Sequence, residues 1–197
     1  MAYTSCVSSI AANIAPDCAN PQVGGYTGRG VLIPVGDAPV IVTDAENPRK
    51  IKSITPADGK KFVAVDNVIS SPFSGSNTGS NADGGTVKYV KTVSMRVPLR
   101  GADASRDIVE PLAQSALGFI LIAEKRDKVG DGSFEVIGYL DGLRVNADGV
   151  TRDESANDGA TTVTMSCTEP WFEVVYLDTD YSTTLEAFEG LLKNSVY

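Results

Sequence analysis

Residues 86–99, TVKYVKTVSMRVPL, alternate in character along most of their length: Val87, Tyr89, Val93, Met95 and Val97 share one parity, while Lys88, Thr92, Ser94 and Arg96 share the other. A period of two belongs to a β-strand with one buried face and one wet face. At ~3.3 Å per residue this strand would run about 40 Å, longer than most strands of globular domains, so it is expected to project beyond the body of the fold.

Most of the remaining sequence reads as short strands joined by turn residues. Residues 29–35 and 39–43, with Gly36-Asp37 between them, read as a hairpin, and residues 61–69 as a third strand. Residues 74–85, SGSNTGSNADGG, hold almost nothing to bury and read as a flexible loop. Between Asp103 and Leu117 the period lengthens. Ile108, Leu112 and Ala116 stack at four-residue spacing beside Val109, Ala113 and Leu117, which predicts an amphipathic helix on a sheet. Ser105 or Asp107 could cap it, or Glu110-Pro111 could mark its start, because proline is tolerated only near a first turn.

After Gly118, the continuous apolar run 119–123 and the strand 134–140 read as a hairpin across the turn 127–132. Strands are expected again at 143–146, 161–168 and 171–177. A short C-terminal helix is expected from Ser182 to Lys193, with Leu185, Phe188 and Leu192 on one stripe. The sum predicts a mainly β single domain over 1–197: an antiparallel β-barrel or sandwich with one flanking helix and a short C-terminal helix. Barrel and sandwich are not distinguishable by periodicity.

The chain's 197 residues, 42% of them apolar, suffice for a full core. They include no histidine, which removes the commonest general base and metal ligand. Cys6, Cys18 and Cys167 form no CxxC pair, so no zinc site is expected; they read as reduced thiols, with a Cys6–Cys18 bridge the alternative. In the 127–138 segment, Val129 and Gly138 stand where a calcium loop needs oxygen ligands. Gly24, Gly25, Gly28 and Gly30 match neither a dinucleotide nor a phosphate loop. Asp148, Asp153, Glu154 and Asp158 read as a solvated acidic loop, and the neighbouring threonines have no evident base. No catalytic, metal or cofactor site is expected. The N-terminus lacks the features of a secretory signal and no stretch approaches a membrane span, so a soluble cytosolic product is expected.

With 25 acidic and 17 basic residues the formal charge is −8, which argues against broad affinity for nucleic-acid phosphates. Against that background Lys88, Lys91, Arg96, Arg100 and Arg106 concentrate positive charge. They read either as a solvent-exposed strand face or as contacts to an acidic surface of an identical neighbour.

The stretches GTVKYVKTVSMRVPL, SRDIVEPLAQSALGFILIAE, FEVIGYLDGLRV and DGATTVTMSCTEPWFEVVYLD, in that order, resemble a bacteriophage major tail tube protein. They cover somewhat over a third of the chain and match as a pattern of elements, since the family has no diagnostic signature. The resemblance implies a virion protein, made in the host bacterial cytoplasm, that forms stacked rings, usually of six copies. DNA passes through the resulting tube without specific binding, and other tail proteins and further copies of the chain are the partners. Edge strands would continue the sheet from copy to copy. Residues 86–99 would line or extend the tube and the helix would sit outside. The N-terminal arm, 1–28, and the loop 74–85, with Asn77, Asn81 and Asp83, would reach a neighbouring ring. A tail terminator, connector or capsid decoration protein is the nearest alternative, and a surface- or carbohydrate-binding β-module the next.

Overall fold

The computed structural model describes residues 24–65, 73–83, 86–97, 101–128, 130–152 and 160–195. Its strands are β1 (Tyr26–Pro34), β2 (Val40–Thr43), β3 (Lys50–Thr55), β4 (Val63–Val65), β5 (Phe73–Asp83), β6 (Thr86–Val97), β7 (Phe119–Lys125), β8 (Phe134–Ile137), β9 (Arg144–Arg152), β10 (Thr161–Glu169) and β11 (Val174–Tyr176). They form two open sheets: sheet A, ordered β2-β3-β11-β8-β7-β1-β4, and sheet B, ordered β5-β6-β10-β9. All pairs are antiparallel except β11 with β3. The expectation of barrel or sandwich thus resolves to a sandwich.

Sheet A is the middle of three layers, and the apolar run in β7 shows why. Phe119, Leu121 and Ala123 point into a core shared with Val93, Met95, Val97, Val163, Met165 and Cys167 of sheet B. Ile120 and Ile122 point the other way, into a second core closed by Phe188 and Leu192 of the terminal helix. A strand covered on both faces carries a continuous apolar run rather than alternation. Each fully buried aliphatic side chain contributes roughly 1.5–3 kcal/mol over its exposed state.

Several expectations need correction. β1 and β2 are not a hairpin: β1 lies between β7 and β4, whereas β2 pairs with β3 at the far edge. Val31, Leu32 and Ile33 are buried whichever way they point, so β1 belongs inside the sheet; Val40 and Val42 are exposed, as an edge allows. The 3₁₀ turn Val35–Asp37 and Ala38 in the left-handed region (φ 49°) turn the chain out between them. β3 was not foreseen because Ile51 and Ile54, its buried residues, are three apart, and its pairing with β2 contains an irregularity. The strand expected at 61–69 is β4, Val63–Val65; residues 66–72 lie outside the described residues. Residues 74–83 of the expected loop belong to strand β5, paired along its length with β6. Backbone pairing needs no apolar side chain, so hydropathy did not reveal it. Residues 84–85 are outside the described set.

The middle helix spans residues 102–114 and is interrupted by a π turn at Ser105–Val109, where the Glu110 N–H donates to the Ser105 carbonyl. Pro111 follows directly. A wider turn immediately before a proline accommodates the ring and the missing N–H without breaking the helix. Leu112 is buried and Ile108 and Val109 lie against the core, but the helix ends at Gln114, leaving Ala113, Ala116 and Leu117 exposed rather than on the inner stripe. The terminal helix, Tyr181–Lys193, begins where Asp180 accepts the Thr183 N–H at 2.8 Å, and it buries Thr184, Phe188 and Leu192.

The β2–β3 turn is organised by Asp44. Lys52 bonds its carboxylate at 3.0 Å, and the N–H groups of Glu46 and Asn47 donate to it at 2.8 and 3.0 Å. The Lys52 bond first, then those two backbone donors, hold the Asp44 pKa at about 2, below the ordinary 3.8. A depressed folded-state pKa gives stability that is present above the unfolded value and lost as pH falls through the folded one. Asp44→Ala is therefore expected to be less stable than the native chain at neutral pH, with the difference closing between pH ~4 and ~2. Thermal midpoints across an acid series would check this; a constant difference would mean the charge is not responsible.

Candidate functional site

The basic residues singled out above sit largely on β6, which divides them between two environments. Lys88 is exposed and Arg96 half-buried on the outer face of sheet B, among Thr92, Ser94, Thr162, Thr164 and Ser166. This outer face is a ladder of small polar side chains, in which Ser94 and Thr164 share a hydrogen bond at 3.2 Å. Asn77, Asn81 and Asp83 on β5 stand in register with Thr92, Lys88 and Thr86. β10 meets β6 only from Tyr89 to Val97, whereas β5 follows β6 out to Thr86, so the β5–β6 hairpin runs past the end of β10.

Lys91 requires a correction. It shares the parity of Val93, Met95 and Val97, and its side chain is fully buried, so it is not a surface contact. Its Nζ lies 2.9 Å from Oε2 of Glu169, itself 1% exposed. Glu169 Oε1 accepts the Leu140 N–H at 3.3 Å. Cys167 stands directly across from Lys91 and is also buried. Burial first, and then the nearby Glu169, push the Cys167 thiol up to about 12, so it stays protonated.

Arg106 is exposed but matched within its own helix by Asp107, at 2.6 and 2.8 Å, and by Asp103 at 3.2 Å. The Asp107 hydrogen bonds raise the arginine pKa, and the same contact lowers that of Asp107. Arg100 lies outside the described residues. The five basic residues therefore do not form one patch. β6 holds three of them, on opposite faces, and Arg106 is neutralised locally.

A second polar cluster was not anticipated. Glu124, 2% exposed, accepts from Thr27 Oγ1 at 2.8 Å and meets Arg29 at 3.4 Å. Glu135 accepts from the Tyr26 hydroxyl at 2.7 Å and pairs with Lys125 at 3.3 Å, while Lys125 also pairs with Glu173. Burial opposes the Lys125 charge, but Glu135 and Glu173 outweigh it and raise its pKa. Each carboxylate named here has a cation or hydroxyl partner, as buried charges require. Among the described residues there is no group of three His, Cys, Asp or Glu side chains able to hold a metal, and no helix long and apolar enough to cross a membrane.

An aromatic group covers the end of the sandwich near Glu169. Trp171 stacks on Tyr139 at 6.4 Å, with the Arg49 guanidinium 5.9 Å from its ring centre, and the exposed Phe172 meets Tyr89 edge-on at 5.6 Å. The fold and its sites define a two-sheet β-sandwich with a helix on the outer face of its larger sheet. No family model matches the chain, and no curated protein or solved structure matches it significantly.

Proposed function

We propose that the chain is a self-assembling structural subunit, a virion tail-tube protein whose copies join side by side into rings, six to a ring, that stack around a DNA passage. The observation that carries this reading is the pair of open sheets. Among the described residues each ends in two strands with no further strand paired on their outer side, β2 and β4 in sheet A and β5 and β9 in sheet B, and the sheet A edges expose Val40 (60%), Val42 (48%) and Val63 (40%). Monomeric proteins ordinarily blunt such edges with charge, proline or closure. The two edges of one sheet lie on opposite sides of the molecule, so pairing edge to edge is head-to-tail and closes into a ring when the rotation permits. The small polar outer face of sheet B suits a lumen that neither grips nor strongly repels a passing duplex, and the β5–β6 hairpin reaches toward the next ring.

Negative-stain electron microscopy with light scattering over a concentration series tests the proposal. Rings or tubes with a central lumen are expected, and a particle that stays monomeric throughout would overturn it. Val40→Lys with Val42→Lys is expected to leave the monomer folded while abolishing assembly, read as a return to the monomer scattering mass. Unaltered assembly would exclude β2 from the contact. The exposed Phe172 beside Tyr89 favours a second reading, a surface-binding β-module. A stable monomer whose Phe172→Ala variant alone loses binding to an immobilised glycan panel would support it.

A further inference from the structure

The Lys91–Glu169 contact has features that an ordinary buried ion pair does not need. Within the described residues, neither Lys91 Nζ nor Glu169 Oε2 makes a hydrogen bond, although they lie 2.9 Å apart. At that separation the missing element is alignment. Both side chains are sealed from water, at 0% and 1% exposure, on neighbouring antiparallel strands of a sandwich core. Keeping two charges there is costly, and passing one proton from the ammonium to the carboxylate removes both at once. An amine and a carboxylic acid would then face each other with the water excluded. The other carboxyl oxygen, Oε1, already accepts the Leu140 N–H, a fixed donor placed where negative charge would develop.

We propose that Lys91 and Glu169 condense into a side-chain amide, an isopeptide crosslink between β6 and β10. Lys91 Nζ, having given one proton to Oε2, attacks the carboxyl carbon of Glu169, and the electron pair of the C=O bond moves onto Oε1, facing the Leu140 N–H. Nζ then passes a second proton to Oε2. The C–Oε2 bond breaks, water leaves, and Oε1 becomes the amide carbonyl. Of the three ammonium protons, two depart in the water and one stays on the amide nitrogen. One positive and one negative charge vanish together, so the net charge is unchanged, and no oxidant or cofactor takes part. The crosslink does not depend on the assembly proposed above. It would tie the projecting hairpin covalently to the body of the sandwich.

Mass spectrometry of the folded, full-length protein after denaturation decides the matter. The expected intact mass is lower than the sequence mass by one water. Trypsin is expected not to cut after Lys91, leaving residues 89–96 joined to residues 153–193, the peptide that contains Glu169. Lys91→Met, which keeps the length of the side chain and removes the nucleophile, is expected to restore the full mass. A folded native chain at full mass, with residues 89–91 released as a free peptide, would overturn the proposal.

Discussion

Glu169→Ala is expected to cost about 3–5 kcal/mol of folding stability, the range for breaking a buried ion pair so that its partner is left in the core. The expectation follows from position. Lys91 is 0% exposed, on the buried row of β6 with Val93 and Met95 and across from Cys167, and no second carboxylate is paired with it among the described residues. Removing Glu169 also leaves the Leu140 N–H without the acceptor it now has. Adding Lys91→Met removes the stranded amine and is expected to recover that part of the loss, while the part that belongs to the crosslink proposed above stays lost. Denaturant unfolding of the single and double variants would measure this. A single-variant cost under about 1 kcal/mol would mean that Lys91 reaches water after all.

The second large effect is expected at Gly142, in the connection from β8 to β9. Its φ is +73°, and an added Cβ would lie 2.2 Å from the Leu117 carbonyl oxygen. The contact is with backbone and cannot swing aside. Leu143 fixes this approach by exchanging hydrogen bonds with Phe119 at 2.7 and 2.9 Å, and the Gly142 N–H donates to the Gly138 carbonyl at 3.0 Å. Left-handed backbone costs a non-glycine residue about 1–2 kcal/mol. Displacing packed neighbours adds roughly 1–3 kcal/mol, so Gly142→Ala is expected to lose on the order of 3 kcal/mol. Gly190, in the terminal helix with nothing near its missing Cβ, is the internal comparison: Gly190→Ala is expected to gain roughly 0.5–1 kcal/mol. Equal effects at the two positions would refute the assignment of strain to the Gly142 turn.

Elements whose burial matches their own periodicity were readable from sequence. β7 and the terminal helix are examples, and so is β6, where period two placed Val93, Met95 and Val97 inside. That periodicity also contained the answer for Lys91. The residue falls in phase with the buried row, and treating its charge as proof of exposure concealed the core pair with Glu169. β5 left no hydropathy signal, because what it contributes is a row of backbone donors and acceptors. The β1–β2 error has another origin. Adjacent strands usually pair, but β1 is apolar on both sides and is drawn to the interior of sheet A, a preference that depends on strands far away in the chain. The Tyr26, Glu124 and Glu135 cluster arises in the same manner, from β1, β7 and β8 meeting only in the folded sheet.

The one parallel pair, β11 with β3, sets a schedule for synthesis. Among the described residues the β2–β3 hairpin joins sheet A through β11, whose residues 174–176 follow β3 by more than a hundred positions. At about 5–20 residues per second a ribosome needs roughly 6–24 s to bridge that interval. During that time the hairpin has no place in the sheet, and the edge carrying Val40 and Val42 cannot be presented in its final orientation. A nascent chain thus cannot offer a neighbour the complete set of edges that the finished sandwich has, and a growing polymer would admit whole subunits in preference to fragments.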